Sequence, residues 1–135
     1  LRHGDFRRDQ TPVQSALDEL SVFFERHPGS DLTGEARALE DSCMAEMARR
    51  AFFVGRFYAR RGLDDAALLY YRSALDDYRG QGCTGDLLIS MGDLYMSMGN
   101  MFAARNSYRR AIDECALDED QAARAAAGLE RASAP

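Results

Sequence analysis

The chain has few of the residues that catalytic and metal sites require. Among its 135 residues are only two histidines and three cysteines, and no two cysteines have the C-x-x-C spacing that is typical of a metal site. Neither His3 nor His27 stands near a nucleophile with a supporting acid. The glycines around residues 80–85 lack the lysine and the preceding strand of a phosphate loop. We therefore predict that the protein is not an enzyme and has no catalytic residue, cofactor or metal ion.

The chain also has no excess of basic charge, few prolines and no long apolar run. The net charge of −5 argues against a nucleic-acid partner, for which a basic face is expected. Three prolines and a hydrophobic fraction of 46% favour a mostly helical protein. No apolar run approaches the ~20 residues that span a bilayer. Because the chain begins at Leu1 without a signal-peptide pattern, we expect a piece of a longer protein, attached to a membrane only through an anchor outside this chain.

Glycine, tyrosine and alanine, by contrast, recur at fixed spacings. Counted from the first glycine of each copy, tyrosine stands at +3, glycine at +7, alanine at +12, tyrosine at +16 and alanine at +19. The copies are Gly55, Tyr58, Gly62, Ala67, Tyr71 and Ala74, and then Gly92, Tyr95, Gly99, Ala104, Tyr108 and Ala111. This pattern is typical of the tetratricopeptide (TPR) repeat, a helix-turn-helix unit of about 34 residues. The small residues allow two helices to pack closely, and the tyrosines fill the remaining space.

Turn and cap residues divide the chain, residues 1–135, into about six helices of a single all-α TPR-like solenoid. Thr11 as an N-cap and Pro12 in the first turn predict a helix over residues 11–26, interpreted as helix B of a truncated repeat after a frayed lead-in. No proline or turn cluster interrupts residues 31–61, which predicts one overlong helix of about 28–30 residues. Residues 31–79 would then form a repeat with an extended helix A, and residues 86–115 a second full repeat. Residues 118–131 would be a terminal capping helix, with Ala122, Ala126 and Leu129 on its packing side.

Helix A of each repeat presents the face through which TPR stacks mainly bind their partners. The predicted partner-binding residues are Arg49, Phe52, Arg56, Arg60, Ile89, Asp93 and Met96, with Met101 and Phe102 as possible contacts around the last turn. They describe a groove with a basic strip beside an acidic and apolar one. The alternative is a solvated helix face on which Arg56 and Asp93 form an ion pair, worth less than ~1 kcal/mol. Met98 is predicted to belong to the core instead.

The three cysteines have different expected roles. Cys43 falls inside a helical pattern and is predicted to be a small buried side chain. Cys83 and Cys115 each stand near the end of a repeat, so a disulfide between them and two free thiols both remain open.

One part of the sequence carries more than a general repeat. Arg8-Asp9-Gln10-Thr11-Pro12, the turn after Phe24 at His27-Pro28-Gly29-Ser30, and the long helix that ends at Gly62 resemble BamD-type proteins, the TPR lipoproteins of the outer-membrane β-barrel assembly machine of Gram-negative bacteria. The resemblance covers a little over half of the chain, from Arg8 to about Tyr78. The family's N-terminal repeats and lipidated cysteine have no counterpart here, and Arg79-Gly80-Gln81-Gly82 replaces its usual proline turn.

The resemblance implies the C-terminal half of a periplasmic scaffold. Its expected partners are the periplasmic domains of the barrel-inserting subunit and accessory lipoproteins, and its expected location is the periplasmic face of the outer membrane. The alternative is a generic TPR adaptor module in another periplasmic or cytoplasmic complex.

Overall fold

The computed structural model describes the backbone of residues 3–78 and 84–135 and the side chains of residues 12–78 and 84–135. Over these ranges the chain forms six α-helices and no strand. They are α1 His3–Arg26, α2 Thr33–Arg60, α3 Asp64–Asp77, α4 Gly85–Ser97, α5 Met101–Glu114 and α6 Glu119–Ser133. Neighbouring helices pack on each other in chain order, and α4 also contacts α2 and α6. The predicted all-α TPR-like solenoid is confirmed.

The overlong helix predicted from the lack of proline and turn residues is α2. Its 28 residues span about 42 Å at 1.5 Å per residue. The four buried residues of α2, which are Ala48, Ala51, Val54 and Gly55, all lie in its second half. This second half therefore acts as helix A of the first repeat.

Each repeat closes around one tyrosine that lies against a glycine. A Cβ atom at Gly55 would lie 2.5 Å from Cδ1 of Tyr71, and one at Gly92 would lie 2.5 Å from Cε1 of Tyr108. Such distances are far inside van der Waals contact, so each helix A can approach its helix B only because glycine is present. The alanines at +12 and +19 of both copies are fully buried. The packing thus follows the spacings seen in the sequence.

The turn inside each repeat also has the same geometry. Gly62 and Gly99 have φ angles of +75° and +80°, in the left-handed region that glycine adopts at the ends of helices. The N–H of Leu63 donates to the carbonyl of Tyr58 at 3.0 Å, and the N–H of Asn100 donates to that of Tyr95 at 2.9 Å. These equivalent bonds fix the angle at which helix B folds back onto helix A.

The terminal helix is fixed to the last repeat by polar contacts. Asp118 caps α6 in a capping box with Gln121, an arrangement that satisfies two backbone N–H groups at the helix start. Gln121 and Arg124 then donate to the carboxylate of Asp86 on α4, at 2.9 and 3.2 Å. Because α6 is held against α4 in this way, it covers the part of α4 that faces it.

Two expectations about helix limits and faces were wrong. α1 begins at His3 rather than at Thr11, because the fixed φ of proline is compatible with a helix, so Pro12 sits inside α1 at the cost of one backbone hydrogen bond. On α6 the buried residues are Ala125, Gly128 and Ala132, whereas Ala122 and Ala126 are exposed. Alanines occupy all sides of this helix, so their positions alone did not define the buried face.

The cysteines differ in state. Cys43 is half-buried and free, and Cys115 is disulfide-bonded. Residues 79–83, which include Cys83 and most of the predicted connection between the repeats, lie outside the described residues. The pairing of Cys83 with Cys115 therefore stays a prediction. In the part of the chain that the structure describes, no helix is both long and apolar enough to cross a membrane.

Candidate partner-binding cleft

A cleft of about 250 Å³ lies between α2 and α4, the first helices of the two repeats. We refer to it as the α2–α4 cleft. Its lining residues are Arg56, Ala59, Arg60, Tyr71, Ser90, Asp93, Leu94 and Ser97. Arg56 and Arg60 are one helical turn apart and therefore project from the same side of α2. Asp93 projects from α4 for the equivalent reason, because it holds the same repeat position as Arg56. Three of the predicted site residues are thus brought together.

The carboxylate of Asp93 is engaged by the repeat behind it. The hydroxyl of Tyr108 donates a hydrogen bond to Oδ1 of Asp93. Burial raises the pKa of Tyr108, and the hydrogen bond to Asp93 and its charge raise this pKa further, against the opposing effect of Arg131. Tyr108 therefore keeps its proton and holds Asp93 in place.

The two arginines of the cleft pair with no carboxylate that the structure describes. In the described part of the chain, neither Arg56 nor Arg60 takes part in an ion pair, and the alternative Arg56–Asp93 pair does not form. Arg56 instead lies over the ring of Phe52, with Cζ 5.7 Å from the centroid. Phe52 is half-buried and packs edge to face on Tyr71. The cleft therefore offers two guanidinium groups to an external ligand.

The other six predicted residues, Phe52 among them, do not line the cleft. Arg49 is exposed and pairs with Glu46 of the same helix, with Nη2 and Oε2 2.6 Å apart. Hydrogen bonds from Arg50 and Arg49 lower the pKa of Glu46. Ile89 is 1% exposed in the core cluster between α4, α5 and α6, so its assignment to the partner surface was wrong. Since α6 packs on α4, this face of α4 is covered.

The residues around the last turn are divided between core and surface. Met96 and Met101 are half-buried and pack against the same α4–α6 core cluster, while Phe102 is 75% exposed. Met98, which was predicted to be core, is 37% exposed, because it is the C-cap residue beyond the end of α4. Phe102 is thus the residue of this group that remains available as a contact.

Sequence reasoning missed Tyr71 as a functional candidate. Its repeat position predicts a purely structural role, and its side chain is indeed 2% exposed. It nevertheless lines the α2–α4 cleft. A signal was present in the sequence, because the position that holds Asp93 in the second repeat holds Arg56 in the first. A tyrosine that meets arginine instead of aspartate loses its acceptor.

We expect the two equivalent tyrosines to respond differently to the loss of their hydroxyl groups. Tyr108→Phe removes the hydrogen bond to Asp93 and should lower the free energy of unfolding by about 1–2 kcal/mol. Tyr71→Phe removes a hydroxyl for which the structure shows no partner, so the change should stay within about 0.5 kcal/mol. Urea denaturation followed by circular dichroism measures both. Equal losses in the two variants would contradict the described difference.

Comparison with known proteins identifies the family. The model of the YfiO family, described as outer membrane lipoprotein, matches residues 2–110 of this chain. A curated relative, the outer membrane protein assembly factor BamD of Caulobacter vibrioides (strain ATCC 19089 / CIP 103742 / CB 15), is 26% identical over 87 residues. That alignment covers 64% of this chain but only 28% of the relative, so the chain corresponds to under a third of the relative's length. The predicted resemblance to BamD-type proteins is confirmed, and the chain belongs to the YfiO family of outer membrane lipoproteins.

Proposed function

We propose that the protein is a non-catalytic scaffold at the periplasmic face of the outer membrane, where it binds other proteins that assemble β-barrels. The observation that carries this proposal is the family match over residues 2–110, together with a relative named as an assembly factor. The match favours this function over a generic TPR adaptor in an unrelated complex.

The state of Cys115 supports the proposed location. Cys115 is disulfide-bonded, and disulfides persist in oxidising compartments such as the bacterial periplasm but are rare in the cytosol. This state suits a protein that works outside the cytoplasm.

The α2–α4 cleft supports the proposed mode of action. The cleft lies on the first helices of two stacked repeats. Its lining residue Arg56 has no carboxylate partner among the described residues and lies over the ring of the neighbouring Phe52. Aromatic and arginine side chains are enriched at the centres of protein interfaces. We place the partner-binding surface here, with exposed Phe102 as a separate contact.

The function is tested by affinity purification from outer-membrane extract with the full-length protein as bait. We expect the wild-type protein to recover the barrel-inserting subunit and accessory lipoproteins. Failure to recover the barrel-inserting subunit, under conditions in which a known assembly complex survives, would overturn the proposal.

A pair of double variants tests whether the cleft is the binding surface. Phe52→Ala with Arg56→Glu changes an arginine that lines the cleft and the aromatic ring over which it lies, and we expect a loss of recovery of about tenfold or more. Phe57→Ala with Arg61→Glu changes a second such pair on the same helix, with Cζ of Arg61 4.5 Å from the ring centroid. Neither Phe57 nor Arg61 lines the cleft, so this control should retain recovery. An equal loss in both double variants would exclude a specific role for the cleft.

A further inference from the structure

The two repeats hold the same tyrosine in the same place but supply different neighbours for its hydroxyl group. Tyr71 and Tyr108 are separated by the repeat offset, and each is buried against the glycine of its own repeat. Tyr108 donates to Asp93. The equivalent neighbour of Tyr71 is Arg56, which has donors only and cannot accept a hydrogen bond.

Among the described residues, the hydroxyl of Tyr71 therefore has no acceptor. Tyr71 forms no hydrogen bond among the described residues, and its ring contact is with Phe52. The described side chains contain no fully buried polar atom that lacks a partner. It follows that the Tyr71 hydroxyl is not sealed inside the core. It reaches solvent where its side chain lines the α2–α4 cleft.

Like the Tyr71 hydroxyl, the two arginines that line the cleft are hydrogen-bond donors. Burial raises the pKa of Tyr71; Arg56 and Arg60 lower this pKa, and Asp93 raises it. All three charged side chains line the cleft together with Tyr71. Because burial has the largest effect, the pKa of Tyr71 is raised overall and the phenol keeps its proton. Arg60 holds the position of Ser97 in the second repeat, so the first repeat has two cations where the second has a carboxylate and a hydroxyl.

The remaining charged group is Asp93, on the opposite wall. It repels an incoming anion, but it is already engaged by the hydroxyl of Tyr108. Arg56 and Arg60 together outweigh it, so the cleft is positive on a protein whose net charge is −5. Neither guanidinium pairs with a carboxylate among the described residues, and hydrogen bonds from arginine or phenol donors to a carboxylate are stronger than those between neutral groups.

We propose that the α2–α4 cleft binds the side chain of an aspartate or glutamate of a protein partner, with its carboxylate accepting from Arg56, Arg60 and the hydroxyl of Tyr71. This inference rests on the proposed scaffold function and specifies the chemistry of its partner. The volume of about 250 Å³ accommodates an acidic side chain and its stem. Arg56 and Arg60 are both exposed, so a side chain of a partner can reach their guanidinium groups from solvent.

The proposal is tested by NMR titration of the full chain with hexaglutamate that is blocked at both termini. We expect shifts of the amide signals of Ser90 and Ser97, which line the cleft. The dissociation constant should rise about tenfold in Arg60→Gln and about fivefold in Tyr71→Phe, because each loses a hydrogen bond to a charged group. Arg61→Gln removes the same charge from the next residue, outside the cleft, and should leave the constant unchanged.

Several outcomes would overturn the proposal. If Arg61→Gln and Arg60→Gln raise the dissociation constant of hexaglutamate equally, binding depends on overall charge and not on the cleft. Blocked hexaglutamine binding as tightly as hexaglutamate would exclude a carboxylate ligand. If hexaglutamine with a free C-terminus binds as tightly as blocked hexaglutamate, the cleft binds a chain terminus. If inorganic phosphate binds more tightly than hexaglutamate, the cleft is a site for a small anion.

Failure of this inference can be told apart from failure of the proposed function. If hexaglutamate does not bind while Arg60→Gln and Tyr71→Phe baits still recover the barrel-inserting subunit, the inference is overturned and the scaffold function stands. If hexaglutamate binds as expected but the wild-type bait recovers no assembly protein, the scaffold function is overturned and the ligand chemistry of the cleft stands.

Discussion

Replacing Gly92 by alanine should lower the free energy of unfolding by about 2–3 kcal/mol, although alanine is the better helix former. The new Cβ atom would lie 2.5 Å from Cε1 of Tyr108. That ring is fully buried and cannot move away, because a Cβ atom at Gly128 on α6 would meet the same ring. Tyr108 is thus held between two glycines, and close packing makes the added methyl group costly.

A second glycine provides the matched control. Gly34 also lies in a helix, α2, but a Cβ atom there would meet nothing within 4 Å. Gly34→Ala should therefore raise the free energy of unfolding, by up to about 1 kcal/mol, through helix propensity alone. Urea denaturation of both variants measures the contrast. A midpoint that rises in Gly92→Ala as it does in Gly34→Ala would show that the contact with Tyr108 does not limit the packing.

The repeat geometry could be predicted because close packing of two helices permits few residue types. Glycine and alanine occur at the points of closest approach, and this requirement recurs at fixed intervals along the chain. The long helix α2 was predictable for another reason, since neither proline nor a turn cluster occurs over residues 31–61. Gly62 and Gly99 marked the turns because only glycine adopts positive φ without strain.

The errors arose where local sequence does not determine the environment. Ala122 and Ala126 fit a packing face as well as Ala125 does, because alanine carries no strong preference for burial on a helix rich in alanine. The exposure of Met98 follows from the exact residue at which α4 ends, and helix ends are defined poorly by sequence. Pro12 is compatible with both the start and the interior of a helix.

The candidate site was predicted in part. Arg56, Arg60 and Asp93 were grouped by their repeat positions alone, and the structure places all three in one cleft. Arg49 does not line the cleft and instead pairs with Glu46. The three-residue spacing of these two side chains on one helix allows this ion pair but does not make it certain from the sequence. The donor role that we propose for Tyr71 could be inferred only by comparing the two repeats position by position.

Ile89→Ala provides the second large effect, and it separates a core role from a binding role. Ile89 is 1% exposed, so removal of its side chain beyond Cβ should lower the free energy of unfolding by about 2–4 kcal/mol through lost burial and a new cavity. The chain has one other isoleucine, Ile112, which is 41% exposed on α5. Ile112→Ala makes the same chemical change at the surface and should cost less than about 1 kcal/mol.

The two isoleucine variants are compared by urea denaturation and by recovery of the proposed partner, the barrel-inserting subunit, below the unfolding transition. If Ile89 acts through the fold, Ile89→Ala shifts the midpoint strongly, yet its folded fraction recovers the partner as well as the wild type does. If Ile89→Ala leaves the stability unchanged but abolishes binding, Ile89 belongs to the partner surface. Because α6 covers this face of α4, such a result would require α6 to leave α4 when the partner binds, and breaking the contacts of Gln121 and Arg124 with Asp86 should then strengthen binding.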